Sequence, residues 1–119
     1  MFGHFNLLRI LFISILFLIS TPQISYPQQK DLENVKILNQ EVSKLYQQGR
    51  YEEAIPIAEK VLKIREKVLG PRHPETAISL NSLAGLYLFM GAYDNAEPLY
   101  RRSLAISEKV LGVCRTFPT

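Results

Sequence analysis

The sequence predicts an all-α fold in which helix-turn-helix repeats stack as a short α-solenoid. Three observations carry this expectation. The chain resembles itself when shifted by 42 residues. Each copy holds two stretches whose apolar residues recur at helical spacing. Glycine stands between the stretches, and glycine with proline stands between the copies. Between residues 38–70 and 80–112, 13 of 33 positions are identical, the last five in a row. Ordinary residue frequencies would give about two. A repeat of this length means stacked supersecondary units, each burying its apolar face on its neighbour.

The chain begins with a greasy leader. Residues 10–19 are apolar except Ser14, with His4 and Arg9 on the N-terminal side. A short basic region before an apolar stretch is the pattern of an export signal. The stretch is shorter than the ~20 apolar residues of a spanning helix. Residues 1–20 are therefore read as a signal peptide or an uncleaved signal anchor, with a buried N-terminal helix as the alternative. The small-residue cleavage pattern is absent, which keeps the anchor open. The expected location is exported, periplasmic or secreted, or membrane-anchored by this leader. Residues 21–30 hold Pro22, Pro27 and three glutamines. Proline fixes φ and removes a donor, so an extended linker is expected there.

Four helices are expected over 31–112, near 31–48, 52–69, 74–90 and 94–111, in units of about 35–70 and 77–112. In the first, Leu38, Val42 and Leu45 form the apolar stripe; Gly49 stops it. In the second, Tyr51, Ala54, Ala58, Leu62 and Leu69 continue on one face. Gly70, Pro71 and Pro74 end the first unit, since glycine suits the left-handed position after a helix and proline cannot extend one. Leu80, Leu83, Ala84 and Tyr87 make the stripe of the third helix, which ends at Gly91. Asp94 is a good N-cap for the fourth, where Ala96, Tyr100, Leu104 and Leu111 face inward. Pro98 falls in its first turns, and Glu97 with Arg101 forms an i, i+4 pair. Residues 113–119 are a divergent tail.

Composition narrows the function classes. With 119 residues and 47% apolar content the chain has room for one small domain. A TIM barrel or a complete dinucleotide-binding domain does not fit. The single cysteine excludes an internal disulfide and a cysteine-based zinc site. The net charge of +3 is spread with both signs interspersed, so no nucleic-acid footprint is expected. No nucleophile elbow, phosphate loop or zinc-protease pair occurs. His73 reads as a loop residue beside Pro74. Glu52 and Glu53 read as first-turn acids favoured by the helix dipole. Cys114 is either incidental or a thiol for intermolecular pairing. No catalytic residue, metal or cofactor is expected.

The run Leu83-Ala84-x-x-Tyr87-x-x-x-Gly91-x-Tyr93-x-x-Ala96-x-x-x-Tyr100 resembles the tetratricopeptide repeat. The 42-residue period and the segment Leu69-Gly70-Pro71-Arg72-His73-Pro74 resemble its kinesin-light-chain type. HEAT and armadillo units are also long but lack the Gly-x-Tyr-x-x-Ala turn. The resemblance covers about residues 35–112, two units. It implies a right-handed solenoid and a non-catalytic scaffold that binds a protein or peptide partner. It also implies a groove lined by the first helix of each unit, with Lys36, Asn39, Ser43, Tyr46 and Gln47 from one and Asn81, Gly85 and Leu88 from the other. Asn39 and Asn81, with donor and acceptor groups, would form a ladder; the other reading is that they are solvated polar positions. Glu41 stands where the second unit has Leu83, and after Gly112 the Pro-x-His-Pro connection is missing. Two units are fewer than the usual three. A second reading is therefore a truncated fragment of a longer array, self-associating through an uncapped end or once accessory to a catalytic domain. Membrane contact is expected only through an uncleaved leader.

Overall fold

In a computed structural model of the chain, residues 25–112 are described. They form four helices and, among the described residues, no strand. These are α1 (Tyr26–Gln47), α2 (Tyr51–Val68), α3 (Pro74–Phe89) and α4 (Tyr93–Leu111). Each helix packs on the next in chain order, as stacked helical hairpins do. The expected leader and divergent tail lie outside the described residues.

α1 starts five residues before the expected Asp31, so residues 26–30 are helical, not extended linker. Ser25 holds an extended backbone at the cap, and its N–H donates to Gln28 Oε1 at 3.2 Å. Pro27 falls at the second helical position, where its missing N–H would have no intrahelical partner anyway.

The corners within the two units are built alike. Gly49 and Gly91 have φ of 71° and 74°. The N–H of Gly49 donates to Tyr46 O at 3.0 Å, and that of Arg50 to Leu45 O at 2.9 Å. Gly91 and Ala92 repeat these bonds to Leu88 O and Tyr87 O. This paired closure needs a left-handed residue, which glycine adopts without a Cβ clash. It also sets where the following helix begins. Ala92, not Asp94, is the cap of α4, and Asp94 lies in its first turn. Pro98 is consequently deeper than the first turn, inside α4, as Pro56 is inside α2. Neither can donate to the carbonyl four residues before it.

The corner between units uses side chains. Thr76 Oγ1 donates to Gly70 O at 2.7 Å, and the Glu75 N–H donates to His73 Nδ1 at 3.1 Å. His73 is thus the N-cap of α3, the structural loop role read from the sequence.

The core lies between the helices, around Ala54, Ala58, Leu62, Leu80, Leu83 and Leu86. Ala54, Leu80 and Ala84 are fully covered. α3 is apolar on almost every side because α2 and α4 flank it. The stripe expected of α4 is only partly buried. Ala96 and Ile106 are buried and Leu99 packs on the core, but Leu104 and Leu111 are exposed. The repeat mate of Leu104, Leu62 in α2, is buried in the core against α3, whereas α4 is the last described helix and packs on α3 alone.

Candidate functional site

The first helices of the two units, α1 and α3, meet at their C-terminal ends. Tyr46 lies edge-on to Tyr51 and to Phe89, with ring centroids 5.5 and 5.3 Å away. Phe89 stacks on Tyr51 at 5.2 Å. Such contacts contribute about 0.5–1.5 kcal/mol each beyond area burial. Tyr46 and Phe89 nevertheless remain about half exposed, so the trio is both a clamp between units and an open aromatic surface.

Next to it runs a cleft of about 200 Å³. Asn39, Val42 and Ser43 of α1 form one wall, and Ile78, Ser79 and Ser82 of α3 form the other. Ala58, Val61 and Arg65 of α2 make the floor. Arg65 is held there by three contacts. Its Nη2 pairs with Glu75 Oε2 at 2.9 Å, and its Nη1 donates to Ser79 Oγ at 2.8 Å and to Glu75 O at 3.1 Å. A guanidinium that is mostly covered and fully paired is fixed in place.

The sequence-derived groove residues do not form one continuous line. Asn39 and Ser43 share the first cleft. Tyr46 belongs to the aromatic trio. Lys36 and Gln47 are exposed. Asn81 lines a second, larger cleft of about 700 Å³ between α3 and α4. Leu88 borders a third, with Tyr93, Tyr100 and Leu104. Gly85 is half-buried, and a Cβ there would sit 3.7 Å from the Tyr100 hydroxyl of α4. The two asparagines keep their repeat relation, because the clefts they line are equivalent: Ala58, Val61 and Arg65 in one correspond to Tyr100, Ser103 and Ser107 in the other. Sequence reasoning missed Phe89, Ile78 and Ser82. Phe89 replaces Gln47 of the first unit, and an apolar residue at an otherwise polar repeat position was the available signal.

The polar groups make structural contacts. Every buried side-chain polar atom among the described residues has a partner. Burial pushes the Tyr87 phenol up, and its donated hydrogen bond to Glu59 Oε1 at 3.0 Å adds to this, tying α3 to α2. At the first corner, Arg50 holds the exposed Glu53 carboxyl below the usual range, chiefly through their hydrogen bonds. Among the described residues no helix is long and apolar enough to cross a membrane. No group of three or more His, Cys, Asp or Glu gathers there that could hold a metal ion.

The comparisons with known proteins agree with this geometry. No curated protein matches the chain. The family model described as Tetratricopeptide repeat matches residues 38–109, more than half of the chain. That match spans both glycine corners, the second half of α1, all of α2 and α3 and most of α4. Its family is generally non-catalytic and serves as a scaffold for protein–protein interaction. With helical hairpins repeating every 42 residues, the chain belongs to the tetratricopeptide repeat family, of the kinesin-light-chain type.

Proposed function

We propose that this protein is a non-catalytic interaction scaffold that holds an extended peptide or a partner helix along the open side of α1 and α3. The observation that carries the reading is the shared wall between those helices. Asn39 and Ser43 face Ile78 and Ser82 across a narrow cleft, beside half-exposed Tyr46 and Phe89. Asparagine and serine offer donors and acceptors to a peptide main chain. Aromatic rings rich in contact area are favoured anchors at interfaces. Of the remaining residues of the expected groove, Lys36 and Gln47 are exposed on α1, while Asn81 and Leu88 line separate clefts against α4.

The leader supports export, cleaved or retained as an anchor, so the partner is met outside the cytoplasm or at its membrane. N-terminal sequencing of the exported protein distinguishes the two: a start beyond residue 20 means cleavage. The groove is tested by capturing binders on the wild-type protein and on Asn39→Ala/Asn81→Ala. The expected result is a loss of affinity of about tenfold, the loss of roughly 1–1.5 kcal/mol of hydrogen bonding. Unchanged binding removes the groove.

A further inference from the structure

The charges that are interspersed along the sequence are sorted in the fold. On α2, Lys60, Lys63 and Lys67 fall at i, i+3 and i+7, on the side away from buried Ala54, Ala58 and Val61. On α4, Arg102 and Lys109 take the places of Lys60 and Lys67, 42 residues on. Arg102 reaches across to Glu66 of α2, so the two stripes lie side by side. Arg72, in the corner between units, joins the group, and all six cations are exposed. The open side of α1 and α3 is different, because Glu75 is the one charged residue of α3.

Acids do not neutralise this outer side. Glu66 is taken by Arg102, Glu97 by Arg101 and Glu53 by Arg50. Glu59 accepts the Tyr87 hydroxyl, toward α3. Glu52, Glu53, Asp94 and Glu97 stand in the first two turns of α2 and α4, at the far end of those helices from Lys67 and Lys109. Glu108 is half-buried. Lys60, Lys63, Lys67, Arg72 and Lys109 form no ion pair with another described residue. Like charges gathered on one face repel one another, and an anionic partner relieves that repulsion.

The layout says what kind of anion fits. The lysines of α2 span about 10 Å along the helix, and α4 widens the field. A compact anion takes strong donors that converge on it, yet the Arg102 guanidinium is already engaged by Glu66. Spread cations on long stems match a layer of spread phosphates. Between Arg72, Arg102 and Lys109 lies a cleft of about 410 Å³ with Pro71, Ala105 and Ile106 in its lining. A lipid headgroup supplies both parts, phosphate for the rim and glycerol for the apolar lining. We propose that the outer side of α2 and α4 is a docking face for an anionic lipid surface. It works with the leader cleaved or retained, and it leaves the side of α1 and α3 to a protein partner.

The test uses the full chain, so that any insertion of the leader is common to every form. With Cys114→Ser, an environment-sensitive fluorophore is placed on Ala105→Cys, the exposed mate of Lys63. Vesicles of phosphatidylcholine with about one-third phosphatidylglycerol are expected to shift its emission to the blue, and phosphatidylcholine alone should leave it unmoved. About 1 M salt, where the screening length is ~3 Å, should abolish the shift. Lys67→Glu/Lys109→Glu should weaken docking at least about thirtyfold, since each surface cation contributes about fivefold. If that form loses helical circular dichroism, Lys67→Gln/Lys109→Gln is read in its place. Lys30→Glu/Lys44→Glu, the same charge change at exposed positions of α1, should keep the shift. The proposal is overturned by the absence of a shift on anionic vesicles, or by a shift that survives the loss of Lys67 and Lys109. An equal shift from a Gln40→Cys label on α1 also overturns it, because contact would then not be confined to the outer face. A shift with soluble polyglutamate and none with vesicles reassigns the face to an acidic protein and overturns the lipid surface.

Discussion

Arg65 and Ser107 occupy the same place in the two units and do different work. Arg65 fastens α2 to the start of α3 through Glu75 and Ser79. Ser107 donates only within its own helix, to Ser103 O at 3.0 Å. Replacing Arg65 by Ala leaves Ser79 and the Glu75 carbonyl without that donor. It is expected to lower stability by about 1.5–3 kcal/mol, read from the urea midpoint. Ser107→Ala should move it by about 0.5 kcal/mol or less. Tyr87 gives a pH signature. Its phenol is raised first by burial and then by Glu59, so the folded state holds this proton more tightly than the unfolded chain. The stability it contributes is fully present below the ordinary tyrosine range and is lost as pH climbs through the raised value. Ultraviolet titration should show one tyrosine ionising after the others, and Tyr87→Phe should remove that late step. In Glu59→Gln the step should fall back only part of the way, because burial is the larger cause.

At the scale of the element, most of the helices were legible and their limits were not. The glycines, the repeated tyrosines after them and the aliphatic spacing located all four helices to within a few residues, save at the start of α1. Pro27 argued for an extended chain, yet it stands where a helix tolerates proline, behind the cap Ser25. Ser25→Ala is expected to fray that first turn, costing up to about 1 kcal/mol and raising hydrogen exchange at residues 28–30. Asp94 looked like a cap because of its side chain, but the main-chain closure at Gly91 and Ala92 fixes the cap two residues earlier. Pro98 lies in a helix interior and breaks the bond to Asp94 O. Pro98→Ala should therefore raise the thermal midpoint, by an amount equivalent to about 1–3 kcal/mol. The site was harder to read. Periodicity says that Leu104 and Leu111 share a face; it does not say whether another helix covers that face.

Across the described residues the first and last helices are unlike. α1 carries exposed Glu41 and Lys44 where α3 has buried Leu83 and Leu86, and α4 leaves Leu104, Val110 and Leu111 exposed. α3 is packed on both sides, and this gradient of burial should appear as a gradient of exchange protection. Amides of residues 80–86 are expected to be the slowest, and those beyond Ser107 among the fastest. The expected groove was legible in its asparagines because the repeat marks equivalent positions. Its division among separate clefts was not, because Asn39 lines the space over α2 and Asn81 the space over α4, on either side of α3.

The fastening at Arg65 has a mechanical consequence. A chain drawn from its two ends meets resistance in series, and the joints are unequal. The α2–α3 joint carries a guanidinium clasp and an aromatic stack, while among the described residues α1 and α4 each pack along one neighbouring helix. Under load an outer helix, α1 or α4, should peel away first at low force, with the α2–α3 pair yielding last in a separate, larger step. Such a molecule can give way at one end while keeping its grip at the centre.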